Sequence, residues 1–232
     1  MIRYFIIGFP HTATTYCYKY ILKKFRHLKG VFEPFNAEVV GWCKSYKKVH
    51  HYSEGEVEHH YDLLSPELRT LIELNARWLW DWVNNDKPVQ PYLGLFWSRI
   101  LNSLQYSRDQ YLVKDVCAWV RLREIVPLLP KTRFILLQKD HGSVLRDFFM
   151  LYGRVSKNIR SPRWGLGLCL FYRYFYGVDK YPRDFNRKNM AKIFKDMYAR
   201  YLNLCREVSQ FWNVRIISFE GRLEDWMIER VI

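Results

Sequence analysis

The stretch Arg3-Tyr4-Phe5-Ile6-Ile7-Gly8-Phe9-Pro10-His11-Thr12-Ala13-Thr14-Thr15 decides how the chain is read. An apolar run rich in β-branched and aromatic residues breaks at Gly8-Phe9-Pro10. It then passes through small hydroxyl residues into an amphipathic segment over 16–25. That order predicts strand, loop, helix. Such a junction makes an anion site, because backbone N–H groups of the loop and first helical turn point inward at the positive end of the helix dipole. Thr12, Thr14 and Thr15 add hydroxyl donors, so a phosphate or sulfate group is the natural occupant. The plainer reading is a strand, a turn and a helix capped by threonine.

The spacing from Gly8 to Ala13-Thr14-Thr15 is close to a Walker A loop and lacks its two telling residues. Ala13 stands in place of the second glycine and Thr14 in place of the lysine. Without a cation to reach the β- and γ-phosphates, nucleoside triphosphate chemistry is disfavoured.

Charge narrows the partners. Across 232 residues, 37 Lys and Arg against 23 Asp and Glu give a net charge of +14, a bias toward nucleotides, nucleic acid, sulfated or phosphorylated substrates, or membrane surfaces. The five cysteines, Cys17, Cys43, Cys117, Cys169 and Cys205, are far apart and form no CxxC pair. They suggest neither a disulfide framework nor a zinc ribbon and fit a reducing compartment. No stretch approaches the roughly 18 apolar residues of a membrane span, and the first nine residues are too short for a signal peptide. A cytoplasmic location is expected.

Outward from the opening stretch, the pattern alternates. Residues 30–35 are a short extended piece, 65–83 have helical character, and 110–113 read as a strand. Residues 119–129 read as a helix running to Pro127 and Pro130, 133–137 as a buried strand, and a helix follows from Ser143. Met190, Ile193, Phe194, Met197, Tyr201, Leu204, Cys205 and Val208 keep a helical period, and 214–219 is a last strand. Strands separated by helices imply a parallel sheet covered on both faces. The expectation is a single α/β domain over 1–232, a P-loop-like three-layer fold whose strands lie near 3–9, 110–113, 133–137 and 214–219. Ligand would then sit beyond the carboxyl ends of those strands.

Taken in order, five pieces resemble the sulfotransferases, with the tyrosylprotein and some bacterial members nearest in motif. Residues 9–15 resemble the 5′-phosphosulfate loop, usually Pro-Lys/Arg-Ser-Gly-Thr-Thr. Phe32-Glu33-Pro34-Phe35 resembles the acidic segment that carries the base, and Lys114-Asp115 the Lys-Asp-Pro element. Residues 130–140, ending in Lys139-Asp140, resemble the strand leading to the 3′-phosphate site, and 215–220 the late strand ending in Tyr-Glu-Asp-Leu.

This resemblance implies transfer of a sulfuryl group from 3′-phosphoadenosine 5′-phosphosulfate to a hydroxyl or amine acceptor by in-line displacement, with no metal required. Pro10, His11, Thr12, Ala13, Thr14 and Thr15 would hold the phosphosulfate, Lys114 would stabilise the leaving group, Glu33 would be the base, and Lys139 would meet the 3′-phosphate.

Three residues depart from the pattern. His11 replaces the usual loop cation, Ala13 replaces a glycine, and Asp147 stands where a 3′-phosphate-binding serine is expected, so that Ser143 or the basic stretch 154–163 would have to substitute. The same residues have plainer readings: Glu33 as a solvated loop residue, and Lys114 paired with Asp115 or another acid. The His-rich stretch 50–60 matches no zinc spacing and reads as polar surface. Trp78, Trp80, Trp82, Trp97 and Trp119 read as core before they read as an acceptor pocket. Two rival functions remain open: a basic nucleic-acid binder, which no recognised motif supports, and a sulfotransferase-like nucleotide binder without turnover.

Overall fold

A computed structural model describes residues 1–36, 64–84, 92–155, 175–176 and 187–232. In chain order the described elements are β1 (Ile2–Gly8), α1 (Thr14–Lys24), β2 (Lys29–Phe32), α2 (Pro66–Asn84), α3 (Tyr92–Gln105), β3 (Tyr111–Asp115), a 3-10 turn (Ala118–Arg121), α4 (Leu122–Leu128), β4 (Arg133–Lys139), α5 (His141–Val155), α6 (Arg187–Val208), β5 (Val214–Phe219) and α7 (Asp225–Glu229). The five strands form one parallel sheet in the order β2-β3-β1-β4-β5.

That order follows from the direction of the connections. From β1 the chain crosses to β2 at one edge, and every later connection runs the opposite way. Right-handed crossovers that run in opposite directions place their helices on opposite faces. Accordingly α1 packs with α7 on one face, while α3, α4 and α6 share the other.

The two-residue period of the strands sorts the core to match. Tyr4, Ile6, Leu112, Ile135 and Leu137 face α1 through Cys17, Tyr18 and Ile21. Phe5, Ile7, Val113, Phe134 and Leu136 face the larger helical layer. A register shift between Ile2 and Tyr4 lets Arg3 turn to solvent and puts Ile2 on the same side as Phe5. All eight apolar positions read along α6 are buried.

The expected strands are present, and the structure adds β2 as a fifth. Lys29-Gly30-Val31-Phe32 is too short to show a period, and its pairing with β3 makes it a strand. Helix α3 was not legible because Pro91, Gly94 and Ser98 punctuate its sequence, and α7 is only five residues long. Pro127 removes a backbone donor from α4, which ends one residue later. Cys17, Cys117 and Cys205 are buried thiols; Cys43, Cys169, the His-rich stretch 50–60 and residues 156–163 lie outside the described residues. No described helix is long and apolar enough to cross a membrane.

Ile135 is fully buried on the interior strand β4, facing α1. Ile135→Ala is expected to cost about 2–5 kcal/mol, from lost transfer energy and the cavity left behind, measured by denaturant unfolding. A cost under 0.5 kcal/mol would contradict the packing described.

Candidate functional site

Parallel strands bring all their carboxyl ends to one edge, and at β1 the connections reverse direction. Such a switch point opens a crevice above the strand ends. The loop after β1 sits there, and its shape is set by contacts that the residues themselves make.

Phe9 is fully buried, its ring centroid 5.1–6.0 Å from those of Trp119, Phe194, Tyr198 and Tyr201. Thr12 turns its hydroxyl inward, donating to the Phe9 carbonyl at 2.6 Å, and its N–H donates to the same oxygen at 3.2 Å. Thr12 therefore closes the loop. The loop folds so tightly over Gly8 that a Cβ there would collide with the side chains of Thr12 and Thr14.

His11 and Ala13 both adopt left-handed backbone, with φ of 70° and 57°. This is why a glycine suits the place of Ala13: a residue with a Cβ costs about 1–2 kcal/mol in that conformation. Ala13 is the N-cap of α1 and gives it no side-chain cap, so the first-turn N–H groups keep their donor capacity at the dipole's positive end. Thr14 is buried and Thr15 half-buried on that turn. The His11 ring meets Phe148 edge-on at 6.2 Å.

On one side of this loop, β3 delivers Lys114, whose register partner on β1 is Ile6. Strand alternation turns Lys114 to the α1 face, where its ammonium lies 4.2 Å from the Phe32 ring centroid and forms an ion pair with Glu33. Both are almost fully buried, at 2% and 6% exposure. Glu33 is buried rather than solvated, and the acid that Lys114 pairs with is Glu33, not Asp115. Glu33 has left-handed backbone, φ 48°; its N–H donates to the Lys114 carbonyl at 2.6 Å, and Asn36 Nδ2 donates to its second carboxylate oxygen at 2.5 Å.

Asp115, the next residue, points to the opposite face and is completely buried. Its Oδ2 accepts the Phe35 N–H at 2.8 Å, and its Oδ1 accepts the N–H groups of Cys117 at 2.6 Å and Ala118 at 2.8 Å. Burial, and then the negative charge of Glu33, push its carboxyl up to about 7, against the opposing pull of these three bonds.

On the other side of the loop, β4 ends at Lys139, whose ammonium is 2.6 Å from Asp147 on α5. Ser143 donates its N–H to Asp140 at 2.8 Å, and its hydroxyl accepts from Arg146 at 2.8 Å. With β1 between β3 and β4, the strands carrying the two lysines are about 10 Å apart. The structure therefore brings 10–15, Glu33 and Lys114 to one edge. It sets Lys139, Ser143 and Asp147 at the same edge on the far side of β1.

Trp97 and Trp119 are core residues; Trp78, Trp80 and Trp82 fall on α2, and their side chains lie outside the described residues. Sequence reading missed Asn36 and the anchoring role of Asp115. For the latter the signal was present: an acid directly after Lys114 at a strand end. In comparisons with known proteins, the sequence matches no family model and no curated protein.

Breaking a buried ion pair leaves an uncompensated charge and costs about 3–5 kcal/mol, whereas removing both charges costs far less. Lys114→Met and Glu33→Gln are each expected to destabilise by that amount, and the double variant by less than the sum, in a denaturant double-mutant cycle. Strict additivity would show that the pair contributes no coupling. Ala13→Gly is expected to stabilise by about 1 kcal/mol in the same assay, through relief of left-handed strain; a loss of stability would refute the conformation given to Ala13.

Proposed function

We propose that the protein transfers a sulfuryl group from 3′-phosphoadenosine 5′-phosphosulfate to a hydroxyl or amine acceptor. The observation that carries this reading is the meeting of Glu33 and Lys114, 81 residues apart in sequence, as a buried pair beside the loop after β1. A base and a cation at one point are what an in-line displacement needs: one accepts the acceptor's proton, the other stabilises charge on the leaving phosphate.

The backbone of 10–15 and the hydroxyls of Thr14 and Thr15 supply the donors that orient the phosphosulfate. Thr12 supports the loop from within. Lys139 serves the 3′-phosphate, and to do so its ammonium must be shared with Asp147.

One observation favours a second reading, binding of the nucleotide without turnover. Lys114 and Lys139 are each already paired with a carboxylate, which lowers the charge available to an incoming phosphate.

Binding of adenosine 3′,5′-bisphosphate should raise the melting temperature of the folded protein. Thr14→Ala should weaken that binding by roughly tenfold or more, as expected for loss of one bond to a charged group. With sulfur-labelled donor and a panel of acceptor classes, Glu33→Gln should lower turnover by roughly 10² or more. Nucleotide binding with no sulfated product from any acceptor would favour the second reading. No response to the nucleotide, together with salt-steep binding to nucleic acid, would overturn both.

A further inference from the structure

The Glu33 loop has no regular structure of its own, yet Glu33 must stay at Lys114 in left-handed backbone. Its own N–H bond to the Lys114 carbonyl is one hold, and a second comes from the opposite face of the sheet. Asp115 Oδ2 accepts the Phe35 N–H, two residues beyond Glu33, while Oδ1 accepts the N–H groups of Cys117 and Ala118 at the start of the 3-10 turn. One carboxylate thus ties the loop after β2 to the loop after β3. The Phe35 ring stacks on Trp97 of α3 at 4.3 Å, so the pinned loop is also seated in the core.

We propose that Asp115 is a positioning residue of the Glu33–Lys114 pair, holding the Glu33 loop in place through its carboxylate, and most firmly while that carboxylate is ionised.

The asymmetry of the contacts gives the mechanism. Oδ1 carries two N–H donors and Oδ2 one, so Oδ2 has the freer lone pair and takes up the proton. The protonated oxygen keeps a lone pair toward the Phe35 N–H but is a neutral and weaker acceptor than the carboxylate, so that tie is the one loosened. The charged group facing Asp115 among the described residues is Glu33, on the loop after β2. Lys114, beside it in β3, turns to the other face, Arg121 at the end of the 3-10 turn pairs with Glu124, and β1 presents Ile7 in register.

The carboxyl, held up to about 7 by burial and by Glu33, changes state near neutrality. Between the ordinary aspartate range and pH 7, the folded protein holds a proton that the unfolded chain has released. Stability contributed by this group is therefore full at acid pH and falls as pH rises toward 7. The loosening of the loop and the gain in stability accompany the same protonation.

The proposal rests on the reading of Glu33 and Lys114 as a working pair, and its test separates the two. In the unmodified protein, NMR titration from pH 5 to 9 should move the Phe35 amide proton and the Glu33 side-chain carboxyl carbon with one shared midpoint near 7. In Asp115→Asn, Oδ1 can still accept from Cys117 and Ala118 but an NH₂ faces Phe35, so the Phe35 amide should stay at its low-pH position and the shared midpoint should vanish. Where sulfuryl transfer is measured, kcat should rise roughly tenfold or more through that midpoint, and Asp115→Asn should remain at the low plateau with nucleotide affinity little changed.

A Phe35 amide that does not titrate between pH 5 and 9, or a Glu33 carboxyl that does not follow it, overturns the proposal. The unmodified protein decides this even if the variant fails to fold. If the two titrate together but no acceptor is sulfated, the positioning role stands and the enzymatic reading falls. If transfer occurs without shared titration, the enzymatic reading stands and the positioning role falls.

Discussion

The change in crossover direction between the β1-to-β2 connection and all later ones is the constraint on which the rest of the structure depends. β1 lies in the middle of the sheet with β3 on one side and β4 on the other. Its carboxyl end lies between those of β3 and β4, where the connection leaving β1 goes to one face of the sheet and those leaving β3 and β4 go to the other. Handedness then assigns α1 alone to the β1 exit, and the helix arrives with its amino end at the crevice. Glycine at position 8 allows this because the loop returns across the strand end with no space for a Cβ.

Charges at this edge are arranged by strand alternation. Lys114 and Asp115 are adjacent in sequence, and a two-residue period sends them to opposite faces of the sheet. Each is buried there and finds the same loop: Lys114 through the Glu33 side chain, Asp115 through the Phe35 backbone. The loop after β2 is therefore gripped from both faces by consecutive residues of β3. On the β4 side the arrangement is looser, since Asp147 is nearly half-exposed while Lys139 is mostly covered. An exposed partner holds a cation weakly compared with a buried one.

Much of this was legible in the sequence because the strands are buried on both faces and read as continuous apolar runs: Phe5-Ile6-Ile7 and Phe134-Ile135-Leu136-Leu137 could hardly be anything else. The β1 loop was legible through Gly8 and its threonines. What escaped notice depended on tertiary pairing. β2 has only four residues and is a strand because β3 lies beside it. The inward turn of Thr12 depends on the buried seat of Phe9 among Trp119, Phe194, Tyr198 and Tyr201, residues more than a hundred positions away. Asp115 was read as a possible partner for Lys114 because the two are neighbours, but neighbours in a strand face apart.

The placement of β1 also bears on how the chain is made. It is synthesised first, yet Ile6 pairs with Lys114 and Ile135, so its two hydrogen-bonding edges have no partners until over a hundred further residues have been added. At ribosomal speeds of about 5–20 residues per second this wait is on the order of ten seconds. During it, a strand as apolar as Tyr4-Phe5-Ile6-Ile7 has both edges open to pairing with other chains. Arg3, which the register shift turns outward, and Lys19, Lys23, Lys24 and Arg26 in and just after α1 are nearby charges with which a nascent chain can keep that strand apart from its copies until β3 and β4 close over it.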